Sequence, residues 1–249
     1  ARGGAGGGGD GAWTAAEQSL YAQTLGAQQL REVVEDVLAT LDELGVRVEL
    51  YHPESGAGQH EFSLAHGDPL YLADTQVLVR EAMHAVALRH GLAVSFIGKV
   101  FQDGAGSGMH LHMSLLRDGR NVSGDAAHAG ALATDAAHFV AGVLHNLPAL
   151  AAITVPTDNG YRRLLPSHWA GAYRCWGVDN REAAVRVISS FVTGVVSNWE
   201  LKTIDGSANP YLAIGAVLAA GMDGLRHRRH LPPPVDCDPA TLDDAQRAA

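Results

Sequence analysis

The residues able to do chemistry gather in a few short stretches. The densest is Gly106-Ser107-Gly108-Met109-His110-Leu111-His112-Met113-Ser114. In an extended strand residues two apart share a face, so His110, His112 and Ser114 line one surface while Leu111 and Met113 turn away. Paired imidazoles on one face can bind a metal or contact phosphate, and the glycines before them let backbone approach a ligand closely. The same spacing also suits an ordinary half-exposed strand. A second stretch, Glu54-Ser55-Gly56-Ala57-Gly58-Gln59-His60-Glu61, sets two carboxylates around a loop with two glycines. Such a loop either folds oxygen ligands toward a hard divalent cation or makes a polar surface hairpin.

Asn198, Glu200 and Lys202 share another strand face, with Trp199 and Leu201 opposite. Glu200 there is either an oxygen ligand beside His110 or part of a solvated strand edge. Arg162, Arg163, Arg174, Arg181 and Arg186 crowd one region among Trp169, Tyr173 and Trp176. Arginine grips carboxylate and phosphate in bidentate fashion, so this region points to an anionic ligand. Carboxylates and imidazole for Mg²⁺ or Mn²⁺, with arginines for polyphosphate, suit ATP-dependent activation of a carboxylic acid. An acyl phosphate would form, and an amine would displace phosphate from it. Spacing permits this chemistry without showing it.

The elements that must position these residues are legible in part. Residues 28–44 carry an apolar stripe at helical spacing, stopped by Gly45, and residues 46–50 alternate as a strand. Residues 74–90 read as a helix, 92–97 as a strand, and 134–146 as a helix ending before Pro148. Residues 155–177 read as a long functional loop, and 183–188 and 196–203 as strands. Asn209 followed by Pro210 starts a last helix that runs to about Gly224. Locally paired strands among helices predict an α+β fold on an antiparallel sheet. Residues 1–20 read as a glycine-rich lead-in, 21–230 as one folded domain, and 231–249 as a proline-containing tail.

Composition bounds the rest. With 249 residues, 47% hydrophobic, the chain can bury a full core. A formal charge of −9 argues against nucleic acid or an anionic membrane as partner. Two cysteines, Cys175 and Cys237, without metal or redox spacing fit a cytoplasmic setting. The apolar run over residues 211–222 is too short to span a membrane.

On the motifs Gly58-Gln59-His60-Glu61, Gly106 to His112, Asn180-Arg181-Glu182 and Asp205-Gly206-Ser207-Ala208-Asn209-Pro210-Tyr211-Leu212, the chain resembles the catalytic domain of type I glutamine synthetases. The likeness runs from about Tyr21 to Gly224. It implies the family's antiparallel sheet flanked by helices, two divalent metals per site, ATP, glutamate and a ring-shaped homo-oligomer. Glu54 and Glu61 match ligands of one metal, His110 and Glu200 ligands of the other. His112 and Ser114 match nucleotide contacts, and Arg181 and Arg186 the arginines that handle ATP phosphates and the transferred phosphoryl. Arg163 matches the arginine on the substrate carboxylate, and Gly106 the holder of the substrate amino group. His52, His60, His84, His90 and His168 receive no role.

Departures from the family pattern are as informative. Trp169, in Ser167-His168-Trp169-Ala170-Gly171, stands where the family has a proton-accepting glutamate, Ala105 where it has asparagine, and Lys202 where it has a substrate arginine. These changes resemble the branch that includes the fungal protein FluG. An indole cannot take a proton from ammonium, so the resemblance implies an organic amine competing with ammonia as acceptor. The family's Glu-x-Glu strand, one ligand for each metal, has no counterpart in residues 1–20, where the carboxylates are Asp10 and Glu17. The isolated chain is therefore expected to turn over weakly or not at all. A binding or regulatory relative that has lost catalysis is the alternative.

Overall fold

The computed structural model describes residues 13–18 and 21–243, so most of the glycine-rich lead-in and the last six residues lie outside the described part. The chain forms two compact units, Ala1–Ser107 and Gly108–Ala249.

In the first unit, α1 (Thr24–Gln29) and α2 (Arg31–Glu43) replace the single helix expected over 28–44, with the break at Leu30. The expected stripe is present: Val34, Val37 and Leu41 are buried. Gly45, at φ +73°, turns the chain out of α2, a conformation glycine adopts without strain. An antiparallel hairpin follows, β1 (Val48–Pro53) with β2 (His60–Leu64), in a register that pairs His52 with Glu61. Helix α3 (Pro69–Arg89) starts earlier than expected because Pro69 takes a first-turn position, where its missing N–H is not needed. Val37, Leu41, Val79, Met83 and Val86 join α2 to α3, and Phe62 and Leu64 of the hairpin pack against them. Residues 92–97 form no strand. Val94 and Phe96 pack on the core.

The second unit holds β3 (Leu111–Met113), the short hairpin β4 (Leu116–Arg117) and β5 (Arg120–Asn121), α4 (Thr134–Thr154) and α5 (Asp158–Tyr161). After these come β6 (Tyr173–Val178), β7 (Ala183–Ser189), β8 (Val196–Leu201) and α6 (Pro210–His227). Its main sheet has the order β3-β8-β7-β6. Two pairings are antiparallel as expected, whereas β6 and β7 run parallel across a connection of only residues 179–182. Parallel neighbours ordinarily need a much longer crossover, so this pairing has no simple sequence signature. The loop expected over 155–177 therefore contains α5 and β6.

Helix α4 continues through Pro148. Pro148 sits on the exposed side, while Leu144, Leu147 and Leu150 are buried, and their packing outweighs the lost backbone hydrogen bond. By length and hydropathy α4 could cross a membrane, but half of its apolar stretch is buried in the unit's core. Asn209 caps α6 as expected, its side chain accepting from the N–H groups of Tyr211 and Leu212. The tail beyond α6 is tied to β6: the Trp176 indole N–H donates to the carbonyl of Pro232 at 2.7 Å, and Val235 N–H to that of Trp176 at 2.8 Å.

Helices α4 and α6 cross where side chains are absent. A Cβ on Gly142 would lie 2.6 Å from Gly224 N and 2.7 Å from its Cα. Gly142→Ala is expected to cost about 1–3 kcal/mol through overpacking of backbone that cannot yield. Thermal unfolding followed by circular dichroism checks this as a lowered Tm.

Candidate functional site

Strand β8 divides the second unit's chemistry from its core. Trp199 and Leu201 are fully buried among apolar neighbours, and Phe139 of α4 packs on Trp199 with ring centroids 5.5 Å apart. Asn198, Glu200 and Lys202 take the other face by the two-residue repeat. Glu200 is register partner to His112 of β3 on one side and to Arg186 of β7 on the other. Three strands thus deliver an imidazole, a carboxylate and a guanidinium to one line across the sheet.

Glu200 is the centre of this cluster, with its side chain 2% exposed. Its Oε1 lies 2.8 Å from His110 Nδ1, 3.4 Å from Lys202 Nζ and 3.8 Å from His112 Nε2. Its Oε2 lies 2.7 Å from Arg186 Nε, a close charge contact without hydrogen-bond alignment. Burial pushes the Glu200 carboxyl up, but the His110 bond and the Lys202 and Arg186 charges hold it well below the usual carboxylate range. Desolvation lowers His110, against the pull of the Glu200 bond. Burial likewise lowers Lys202, opposed by Glu200. His112 turns its Nδ1 to Asn198 Oδ1 at 2.9 Å, and Ser114 is exposed.

Arg163 is buried, and its Nη2 donates to the carbonyls of Lys202, Thr203 and Ile204 at 2.9, 2.9 and 3.1 Å. Burial lowers its guanidinium to about 10, partly opposed by Asp205. One guanidinium nitrogen is thus committed to backbone, while Nε is buried without a hydrogen-bond partner among the described residues. Arg181 is not brought to Glu200. Its guanidinium lies over the Trp169 ring, 5.1 Å from the centroid. Trp169 is half exposed and holds φ +51°, an uncommon backbone for a bulky residue. Its N–H donates to Glu182 Oε1 at 2.9 Å.

The first unit holds a separate cluster. The turn after β1 brings Glu54 and Glu61 together, as their spacing allows, and adds His52. One ligand atom from each of the three falls within 4.8 Å of the others. His52 Nε2 lies 3.2 Å from Glu54 Oε1 and 4.0 Å from Glu61 Oε2. His52 is the residue that sequence reasoning passed over. The signal was available, since it stands two positions before Glu54 on one strand face and opposite Glu61 in the hairpin. Imidazole nitrogen with two carboxylates is a donor set that suits Mn²⁺ or Mg²⁺. The Glu200 cluster fits a cation less simply, because His110 and the carboxylate already touch each other and share it with Arg186 and Lys202.

Neighbouring residues brace the first cluster. Tyr51 OH and His60 Nδ1 are 3.0 Å apart, and His60 Nε2 lies 3.6 Å from the buried Glu17. Burial, with the Glu17 charge, pushes the Tyr51 phenol up to about 12. Gln59 spans its own loop: its Oε1 accepts from Gly56 N–H, and its Nε2 donates to Gly106 O and Ser107 Oγ at 2.9 and 3.0 Å. The Gly106 carbonyl is thereby occupied.

Residues 11–249 match the family described as glutamine synthetase, catalytic domain. The chain belongs to the glutamine synthetase family. It is 46% identical over 225 residues to the gamma-glutamylpolyamine synthetase GlnA3 of Streptomyces coelicolor, covering 89% of this chain and 48% of that protein. To the glutamine synthetase of Thermococcus kodakarensis it is 36% identical over 227 residues, covering 91% of this chain and 50% of that protein. A solved structure described as the GmaS/ADP complex superposes with a TM-score of 0.80 at 29% identity, over 93% of this chain and 54% of that one. The chain spans about half the length of the curated relatives it matches.

In this glutamine synthetase fold, removing the Glu200 charge leaves Arg186 and Lys202 without their counterion. Glu200→Gln is expected to lower stability by about 3–5 kcal/mol, the cost of breaking a buried ion pair from one side. The sign with pH follows from the depressed carboxyl. Its contribution is complete above the unfolded value near ~4.3 and is lost as pH falls through the lower folded value. Denaturant unfolding of both proteins across pH checks this: the gap is full at neutrality and narrows below about pH 4.

Proposed function

We propose that the protein is an ATP-dependent ligase joining the side-chain carboxyl of glutamate, or a close analogue, to an amine through a γ-glutamyl phosphate. The observation that carries this reading is the Glu200 cluster, where a buried carboxylate holds His110, Arg186 and Lys202 on one sheet face. Such a face is preorganised for a polyanion.

The roles follow residue by residue. Glu54 and Glu61, with His52 as a third donor, would hold one divalent cation, Mg²⁺ or Mn²⁺, and His110 with Glu200 the other. These metals would neutralise phosphate charge when bound. Arg186, oriented by Glu200, presents its remaining guanidinium N–H groups to phosphate oxygens. Arg181 reaches the same anion by leaving the Trp169 ring, a contact worth only ~0.5–1 kcal/mol at an exposed site. His112 and Ser114, exposed on β3 and just beyond it, would contact the nucleotide. Lys202 and Arg163 supply positive charge for the substrate carboxylate. Gly106 serves the substrate amino group, although its carbonyl already accepts the Gln59 amide.

The acceptor we favour is an organic amine. Trp169 offers an apolar, cation-binding face, and the chain is 46% identical to a protein named a gamma-glutamylpolyamine synthetase. The departures at Trp169, Ala105 and Lys202 keep the FluG-like branch as the matching part of the family. We also propose a cytoplasmic homo-oligomer, with one catalytic domain over residues 21–230 between a lead-in and a tail. The non-catalytic alternative has no observation in its favour, since the charged cluster around Glu200 is intact.

ADP release by the natural gene product, with ATP, glutamate and Mg²⁺ or Mn²⁺, tests the reading when ammonium is run beside primary alkylamines. Faster turnover with an alkylamine at equal concentration is the expected outcome. Turnover with ammonium alone would make Trp169 a tolerated substitution, and silence with every acceptor would end the ligase reading.

A further inference from the structure

Glu182 immediately precedes β7 and shares a strand face with Ala184 and Arg186 by the two-residue repeat. It is 7% exposed. Its Oε1 accepts the Trp169 N–H, but Oε2 is buried and meets no donor among the described residues. A carboxylate oxygen taken out of water and left unpaired is costly, and native structures rarely keep one without a partner to receive. The neighbouring cation does not supply it, because the Arg181 guanidinium lies over the Trp169 ring.

The loop that carries Trp169 is laid on the same face of the sheet. Ser167 and Trp169 both adopt positive φ, +57° and +51°, and Gly171 follows at +71°. A Cβ at Gly171 would sit 3.0 Å from Ala184 Cα and from Lys202 Cβ. The Glu182 bond therefore helps hold Trp169 in a strained backbone, two residues before the glycine that packs on Lys202. A carboxylate that can only accept, beside an aromatic face that already holds a cation, forms a recognition pair for an ammonium group.

We propose, on the ligase reading above, that Glu182 Oε2 binds the ammonium group of a primary alkylamine acceptor and takes its proton, while the Trp169 indole covers the alkyl stem. A protonated amine has no lone pair with which to attack. One proton passes from R–NH₃⁺ to the Glu182 carboxylate, leaving R–NH₂. The nitrogen lone pair forms the N–C bond at the acyl carbon, and the acyl C–O bond breaks, its electron pair leaving with phosphate. The surplus N–H proton goes to that phosphate, and Glu182 returns its own proton to solvent. Trp169 cannot take this part, because its indole N–H only donates.

Glu182→Gln keeps an oxygen for the Trp169 N–H and removes only the charge. The natural gene product and this variant are compared by ADP release with ATP, glutamate and Mg²⁺, using either a primary alkylamine or hydroxylamine as acceptor. Hydroxylamine is uncharged at neutral pH and needs no proton acceptor before it attacks. The ratio of kcat/KM for alkylamine to that for hydroxylamine is expected to fall by about a hundredfold, the lower range of general-base catalysis. An equal loss with both acceptors, or none, overturns the proposal. If Glu182→Gln does not fold, Glu182→Asp decides, because it withdraws the charge by one methylene: a lowered ratio supports the proposal and an unchanged one overturns it. Wild-type silence with both acceptors overturns the ligase reading and this inference together, whereas an unmoved ratio in an active ligase overturns this inference alone.

Discussion

One buried carboxylate organises the second unit's chemistry. Glu200 stands on a strand whose other face is sealed by Trp199 and Leu201, and its two oxygens are contacted by His110, Lys202 and Arg186. Arg186 and Lys202, crowded this closely, would repel each other without a shared counterion, and their desolvation would go uncompensated. With Glu200 in place they form a fixed positive surface around a single negative charge. A polyanion bound there, as proposed, would meet that surface already assembled, with little reorganisation on binding.

The same alternation explains why core and site can be neighbours on one strand. Each step along β8 switches sides, so core packing at Trp199 sets the depth at which Glu200 sits. Phe139 of α4 packs on Trp199, and α4 lies directly on α6 through Gly142 and Gly224. The helices thereby brace the back of the sheet whose front carries charge. In the first unit the logic is smaller in scale. The β1–β2 register alone sets His52 against Glu61, and the turn after β1 folds Glu54 in beside them.

Much of this was legible in the sequence wherever one local rule acted alone. The two-residue repeat put His110 beside His112 and Glu200 beside Lys202, and the Asn209-Pro210 cap opened α6 where expected. Legibility ended where tertiary packing decided the outcome. Buried leucines carry α4 past Pro148, which local propensity reads as a stop. Residues 92–97 have strand composition but form no strand. The parallel β6–β7 pair joins through a connection too short for the usual crossover signal. His52 and Glu182 received no role from the sequence for a related reason: each meets a residue brought to it by folding, Glu61 across the hairpin and Trp169 from a distant loop.

The proposed function makes the two imidazole-and-carboxylate clusters, one in each unit, sites for divalent cations. Electron spin-echo spectroscopy of the Mn²⁺-loaded natural gene product, labelled with ¹⁵N-histidine, tests that claim most directly. The account predicts histidine nitrogen coupled to Mn²⁺, with part of the coupling lost in His52→Ala and the rest lost in His110→Ala. Bound Mn²⁺ without histidine coupling, or coupling that neither substitution changes, would contradict it.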